Sequence, residues 1–104
     1  MKKYQSYING KWLDSISGKT ITVDNPATEE VIGEVSCANN SDVDLAVEAA
    51  KTSFLKRTLV DMNPMDRAKL MRKIAEELRK VSKEAGKLLC YENGKLLDGA
   101  EYEF

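Results

Sequence analysis

Histidine is missing from this chain altogether, which excludes imidazole metal ligands and histidine-based catalysis. Cysteine is nearly as scarce. Cys37 and Cys90 are the only two, too few to make a zinc site by themselves. A Cys37–Cys90 disulfide stays open on sequence grounds, but a cytosolic protein is expected to keep both as free thiols. No apolar run is long enough to span a bilayer. Lys2 and Lys3 are followed by no hydrophobic segment of the kind a signal peptide carries. Neither sign of charge dominates: 16 Lys and Arg stand against 17 Asp and Glu, so nothing in the charge favours nucleic acid or an anionic membrane as partner. The phosphate-binding spacings Gly-x-Gly-x-x-Gly and Gly-x-x-x-x-Gly-Lys do not occur. These absences lead us to expect a cytoplasmic protein.

What is present is dominated by a helical stretch from Asn63 to Gly94. Asn63 is a good N-cap, and Pro64 suits the first helical position because its missing N–H would have no partner there. Asp66 adds negative charge to the first turn, where the helix dipole favours it. Leu70, Met71, Ile74, Ala75, Leu78 and Val81 recur at helical spacing, and Ala85, Leu88 and Leu89 continue the series. Lys69, Arg72, Lys73, Glu76, Glu77, Arg79 and Lys80 fill the opposite face. Asn93-Gly94 is a stop signal. A single helix would be about 45 Å long, more than the roughly 34 Å width of a compact domain of this length. Ser82 reads as a second N-cap, so two helices with a break near Val81-Ser82 are expected. If Ile74 and Leu78 are fully buried, truncating either to alanine should cost about 2–5 kcal/mol.

The residues before this stretch read as strands and one more helix. Asn9-Gly10 within Tyr7–Leu13 suits a type I′ hairpin turn, and Trp12 is expected to cover a core edge. Ser15 to Lys19 is a polar connection. Thr20–Asp24 alternates and is β-branched, hence a strand. Asn25-Pro26-Ala27-Thr28 is a turn. Val31–Val35 is a second strand, antiparallel to the first, with Gly33 marking a close backbone approach. Ser41 is the expected N-cap of a helix, with Asp44 completing a near capping box. Val43, Ala46, Val47, Ala50 and Phe54 make its apolar face. Lys56 to Met62 is a connector, and Lys95 to Phe104 could begin another helix. The fold class is α+β: N-terminal hairpins or short antiparallel strands, then two to four helices, in one domain over residues 1–104.

No chemistry is visible in these residues alone. Neither cysteine has a histidine or another activating base nearby in sequence, and Cys90 sits between Leu89 and Tyr91, surroundings that disfavour a thiolate. Glu76, Glu77, Glu84 and Glu92 read as a solvated helix face.

Five segments in order nevertheless carry a resemblance: Tyr7-Ile8-Asn9-Gly10-Lys11-Trp12, Asn25 to Gly33, Asp42 to Ala50, Asp66 to Ala75, and Glu92-Asn93-Gly94-Lys95. Together they resemble the N-terminal end of the NAD(P)-dependent aldehyde dehydrogenase superfamily, over about Tyr7 to Glu103. Between Phe54 and Arg67 this chain is slightly longer than the family pattern and lacks the tryptophan common there. The resemblance implies the start of the nucleotide-binding domain without its Rossmann-like sheet, taken from an enzyme that oxidises aldehydes to carboxylic acids with NAD or NADP. It also implies that the catalytic cysteine, the general-base glutamate and the nucleotide site lie outside this sequence. No catalytic or cofactor-binding residue is therefore assigned, and the chain is expected to be a fragment or truncated product that binds no cofactor and is inactive alone. One family feature carries over: a monovalent-cation site would use Glu92 and the backbone carbonyls of Val23 and Asp24.

A reading from a different class is a self-associating helical interaction module. Its apolar helix stripes are more than two short hairpins can cover, so a two-fold dimer through exposed helix faces is expected.

Overall fold

Asn9 and Gly10 both adopt positive φ, 51° and 78°, the geometry a type I′ turn demands. They join strands β2 (Ser6–Ile8) and β3 (Lys11–Leu13) into the predicted antiparallel hairpin, with Tyr7 opposite Trp12. The computed structural model describes residues 1–104. The hairpin is preceded by β1 (Lys2–Tyr4) and followed by β4 (Thr20–Asp24) and β5 (Val31–Ser36). The second sheet has the order β1-β5-β4. Backbone bonds from Cys37 to Lys19 and from Asn25 to Glu30 close the two ends of the predicted antiparallel β4–β5 hairpin. The connecting turn is the expected Asn25–Thr28, tightened by Asn25 Oδ1 accepting from the Ala27 N–H at 2.9 Å.

The strand β1 was not legible in the sequence, and it pairs parallel to β5 where only antiparallel pairs are expected. Gly33 explains the fit. A Cβ there would lie 3.1 Å from the Lys2 carbonyl and 3.3 Å from the Tyr4 ring, so glycine lets the first strand approach.

Helix α1 (Asn40–Leu55) starts two residues earlier than predicted. Asn39, not Ser41, is the N-cap, and its partner in the capping box is Asp42, not Asp44. The amide of Asn39 accepts from the Asp42 N–H while the Asp42 carboxylate accepts from the Asn39 N–H, which satisfies two otherwise orphaned donors at once.

Helix α2 (Pro64–Asn93) is capped as expected, by Asn63 with Pro64 at the start and by left-handed Gly94 at the end. The predicted break at Val81-Ser82 is absent: α2 runs unbroken through it. The Ser82 hydroxyl donates to the Arg79 carbonyl at 3.0 Å instead of capping a new helix. A helix of this length is accommodated because the chain does not gather around one core. It divides into two compact units, one of residues 1–23 and 31–58, the other of residues 24–30 and 59–104.

In the second unit, α3 (Leu97–Tyr102) packs on α2. Ala100 is the one buried hydrophobic residue of the chain, and Gly86 is buried on α2. A Cβ on Gly86 would come within 2.7 Å of the Glu101 backbone, so the two helices meet through this notch. Lys95 and Glu103 pair across the ends of α3.

The expected apolar faces remain uncovered. Ile74 and Leu78 are 44% and 46% exposed, Val43, Val47 and Phe54 on α1 are exposed as well, and Trp12, at 66%, covers no core edge but tilts against Tyr7. Periodicity identified the apolar stripes correctly, but nothing in this chain lies over them. The 2–5 kcal/mol cost expected for truncating Ile74 or Leu78 does not apply to side chains this exposed.

Gly86→Ala sets two effects against each other. Alanine gains about 1 kcal/mol of helix propensity, while overpacking against immovable backbone costs about 1–3 kcal/mol. The clash at 2.7 Å should win. Urea unfolding is expected to show a lower midpoint, and a raised midpoint would mean that α3 is not seated on this notch.

Candidate functional site

The densest side-chain network lies where three segments of the first unit converge. The connection after β3 brings Ser15 and Ile16, the end of β5 brings Ser36, and the start of α1 brings Asn39 and Asp42. Asp42, at 5% exposure, is the centre. One carboxylate oxygen accepts from the Ser15 hydroxyl at 2.6 Å and the Asn39 N–H at 2.8 Å, and the other from the Ile16 N–H at 3.1 Å. The Ser15 N–H donates to the Ser36 hydroxyl at 2.6 Å, and Ser17 closes a small serine turn through the Ser15 hydroxyl at 2.9 Å.

These donors set the protonation state of the carboxylate. The Ser15 hydroxyl contributes most, followed by the Asn39 and Ile16 backbone N–H groups, and together they hold the Asp42 carboxyl below its ordinary value against the opposing effect of burial. A carboxylate stabilised in this way is a poor base, so it does not activate Ser15 as a nucleophile. The network ties a loop, a strand end and a helix start together, and its role is structural.

The residues singled out from the sequence lie elsewhere. Cys37, just after β5, and Cys90, on α2, are both half-buried free thiols. Glu76, Glu77 and Glu84 are exposed on α2, with Glu77 accepting from Lys80 at 2.6 Å. Glu92 is exposed in the last turn of α2, Asp24 is exposed at the end of β4, and Val23 before it is half-buried. Gly94 sits against the turn after β4, since a Cβ there would meet Pro26 at 3.3 Å. No group of three or more Cys, Asp or Glu side chains is arranged to hold a metal ion. Two shallow depressions border the β2–β3 hairpin and α1. One, of about 330 Å³, is lined by Ile8, Leu13, Leu45 and Ala49 with Lys11 and Glu48 among its polar groups, and neither gathers catalytic side chains. The clamp around Asp42 went unpredicted, although Asn39 followed three residues later by Asp42 was its available signal.

Residues 12–104 match the sequence profile of the aldehyde dehydrogenase family. Malonate-semialdehyde dehydrogenase 1 of Shouchella clausii is 40% identical over 103 residues, which is 99% of this chain and 21% of that protein. Succinate-semialdehyde dehydrogenase [NADP(+)] 2 of Schizosaccharomyces pombe is 37% identical over 99 residues, 95% of this chain and 20% of that protein. The crystal structure of an NAD-dependent aldehyde dehydrogenase from Sinorhizobium meliloti superposes with a TM-score of 0.90 at 32% identity, covering 99% of this chain and 21% of that one. The chain thus spans about a fifth of the length of the relatives it matches.

Asp42→Asn tests the clamp through its pH dependence. Because the native carboxyl titrates below the unfolded one, its contribution is fully present above the usual carboxylate range and is lost as pH falls through the lowered native value. The variant should be less stable than the parent at pH 7, with the gap closing as the pH is taken below about 4. Urea midpoints measured across this range check it, and a gap that stays constant with pH would exclude an ionised Asp42 as the stabilising group.

Proposed function

Because this chain belongs to the aldehyde dehydrogenase family, we propose that it is the N-terminal part of an enzyme that oxidises an aldehyde to a carboxylic acid with NAD or NADP. The observation that carries this reading is the superposition of 99% of the chain, at a TM-score of 0.90, on about a fifth of an NAD-dependent family member. In this reading residues 1–104 form a single partial domain of the enzyme and work in the cytoplasm. Its own residues offer scaffold and no chemistry. The one buried carboxylate is held ionised by its donors, and neither free thiol has a histidine to serve as base. The chain alone is therefore inactive and binds no nucleotide.

The monovalent-cation reading of Glu92 with the Val23 and Asp24 carbonyls belongs to the same proposal. Carboxylate and carbonyl oxygens suit a hard cation. The seating of Gly94 against Pro26 supports it further, because it brings the segment after Glu92 to the turn that follows Asp24. A second reading, self-association as a dimer through exposed helix faces, is favoured by the uncovered side chains of α2, among them Met71, Leu78 and Val81.

Incubation with NAD or NADP and a panel of aldehydes should give no turnover. Turnover that tracks the purified protein and disappears in Cys90→Ala would overturn the assignment of the chain as scaffold, as would micromolar binding of NAD by calorimetry. For the cation, the thermal midpoint should be higher in potassium chloride than in choline chloride at equal ionic strength, and Glu92→Gln should remove the difference. Equal midpoints for the parent chain would dismiss the site.

A further inference from the structure

We propose that Asn9 is a site of spontaneous covalent modification, at which the Gly10 backbone nitrogen attacks the Asn9 side-chain amide and converts it to aspartate and isoaspartate. Water is the only co-reactant. A bond forms between the Gly10 nitrogen and Asn9 Cγ, and the Cγ–Nδ2 bond breaks. The Gly10 N–H proton passes through solvent to Nδ2, and ammonia leaves. Water then opens the succinimide ring at either of its two carbonyls. One opening leaves aspartate on an unchanged backbone. The other leaves isoaspartate, with the main chain running through the former side chain.

Sequence narrows the choice and the fold completes it. The chain has six asparagines. Asn25 and Asn63 precede proline, which has no N–H to attack with. Asn39 and Asn40 precede Asn40 and Ser41, whose side chains crowd the attacking nitrogen. Asn9-Gly10 and Asn93-Gly94 remain, both followed by lysine. Asn93 is the last residue of α2, and the Gly94 N–H donates to the Cys90 carbonyl at 2.9 Å. Gly94 is also confined by Pro26, 3.3 Å from where its Cβ would stand. That nitrogen is occupied, and the backbone before it is fixed as helix. By contrast, no acceptor in the chain takes the Gly10 N–H. A Cβ on Gly10 would meet only the Tyr7 hydroxyl, at 3.9 Å. Strands β2 and β3 have three residues each, and an isolated hairpin this short opens readily. Asn9 can then leave its φ of 51° and bring its side chain onto the free nitrogen. The contrast between the two sites lies in bonds made within the chain, not in which faces meet solvent. Isoaspartate adds Cβ of residue 9 to the main chain, which a two-residue turn pairing Ile8 with Lys11 cannot absorb in register. Tyr7 and Trp12, with ring centroids 5.0 Å apart, lose their contact.

Timed incubation in warm, mildly alkaline buffer, followed by peptide mapping with mass spectrometry, tests this. The exchange of NH2 for OH is read separately at Asn9 and Asn93. Unfolded in urea, the two sites should react at similar rates. In the folded chain Asn9 should outpace Asn93 by about tenfold or more, the rate equivalent of a hydrogen bond that must first break. Fluorescence of Trp12, the only tryptophan, should change in step with isoaspartate. Asn9→Gly suits the turn but has no side-chain amide, so this drift should vanish while Asn93 keeps its rate. Three results would each overturn the proposal: equal rates at the two sites in the folded chain, a faster Asn93, or a folded Asn9 that stays intact while the unfolded chain converts.

Discussion

The carboxylate of Asp42 holds the first unit together. Its two oxygens accept from three groups on two separate segments, and the Ser36 hydroxyl fastens the same loop from a third. Large hydrophobic side chains cannot do this work here, because none is fully buried. A small unit with so little apolar burial depends on directional bonds to set the position of its pieces, and a buried charge that meets several donors is among the strongest of these. The β4–β5 hairpin and the N-terminus of α1 therefore owe their mutual placement to polar geometry more than to packing.

The second unit is built on the opposite principle. Its contact is steric: Gly86 removes a side chain so that the backbone of α3 can come close at Glu101, and Ala100 on α3 is fully buried. The long α2 gives it stiffness, and both ends of that helix are satisfied locally, by the Asn63 side chain and by the left-handed turn at Gly94. Neither unit uses the broad apolar stripes that the sequence displays, and membership of a family whose proteins are about five times longer makes sense of that surplus.

Much of the fold was legible because the signals were local. Asn9-Gly10, Asn25-Pro26, Asn63-Pro64 and Asn93-Gly94 each fix φ or a cap within a few residues, and all four behave as read. The family was legible for a related reason, since short motifs in a fixed order survive even where each is weak. What could not be read were the outcomes of long-range choices. Asn39 and Ser41 are both competent caps with an acidic residue three positions on, and the choice fell to Asn39 because only Asp42 also reaches Ser15. Strand β1 has no pattern of its own and exists because Gly33 admits it. The break at Ser82 was inferred from the width of a compact domain, a constraint the chain does not obey. The candidate cation ligands came from the resemblance and from no pattern in the residues, because backbone carbonyls leave no trace in a sequence.

The parallel pairing of β1 with β5 also imposes an order in time. Lys2 finds its place beside Gly33, so roughly thirty residues of chain must close into a loop before that contact forms. The turns at Asn9-Gly10 and Asn25-Pro26 close over a handful of residues and can form on microsecond scales. During synthesis β1 emerges before its partner and waits unpaired until β5 has left the ribosome, at about 5–20 residues per second. Its short length and its two lysines, Lys2 and Lys3, suit a strand edge that must stay open without recruiting the wrong partner.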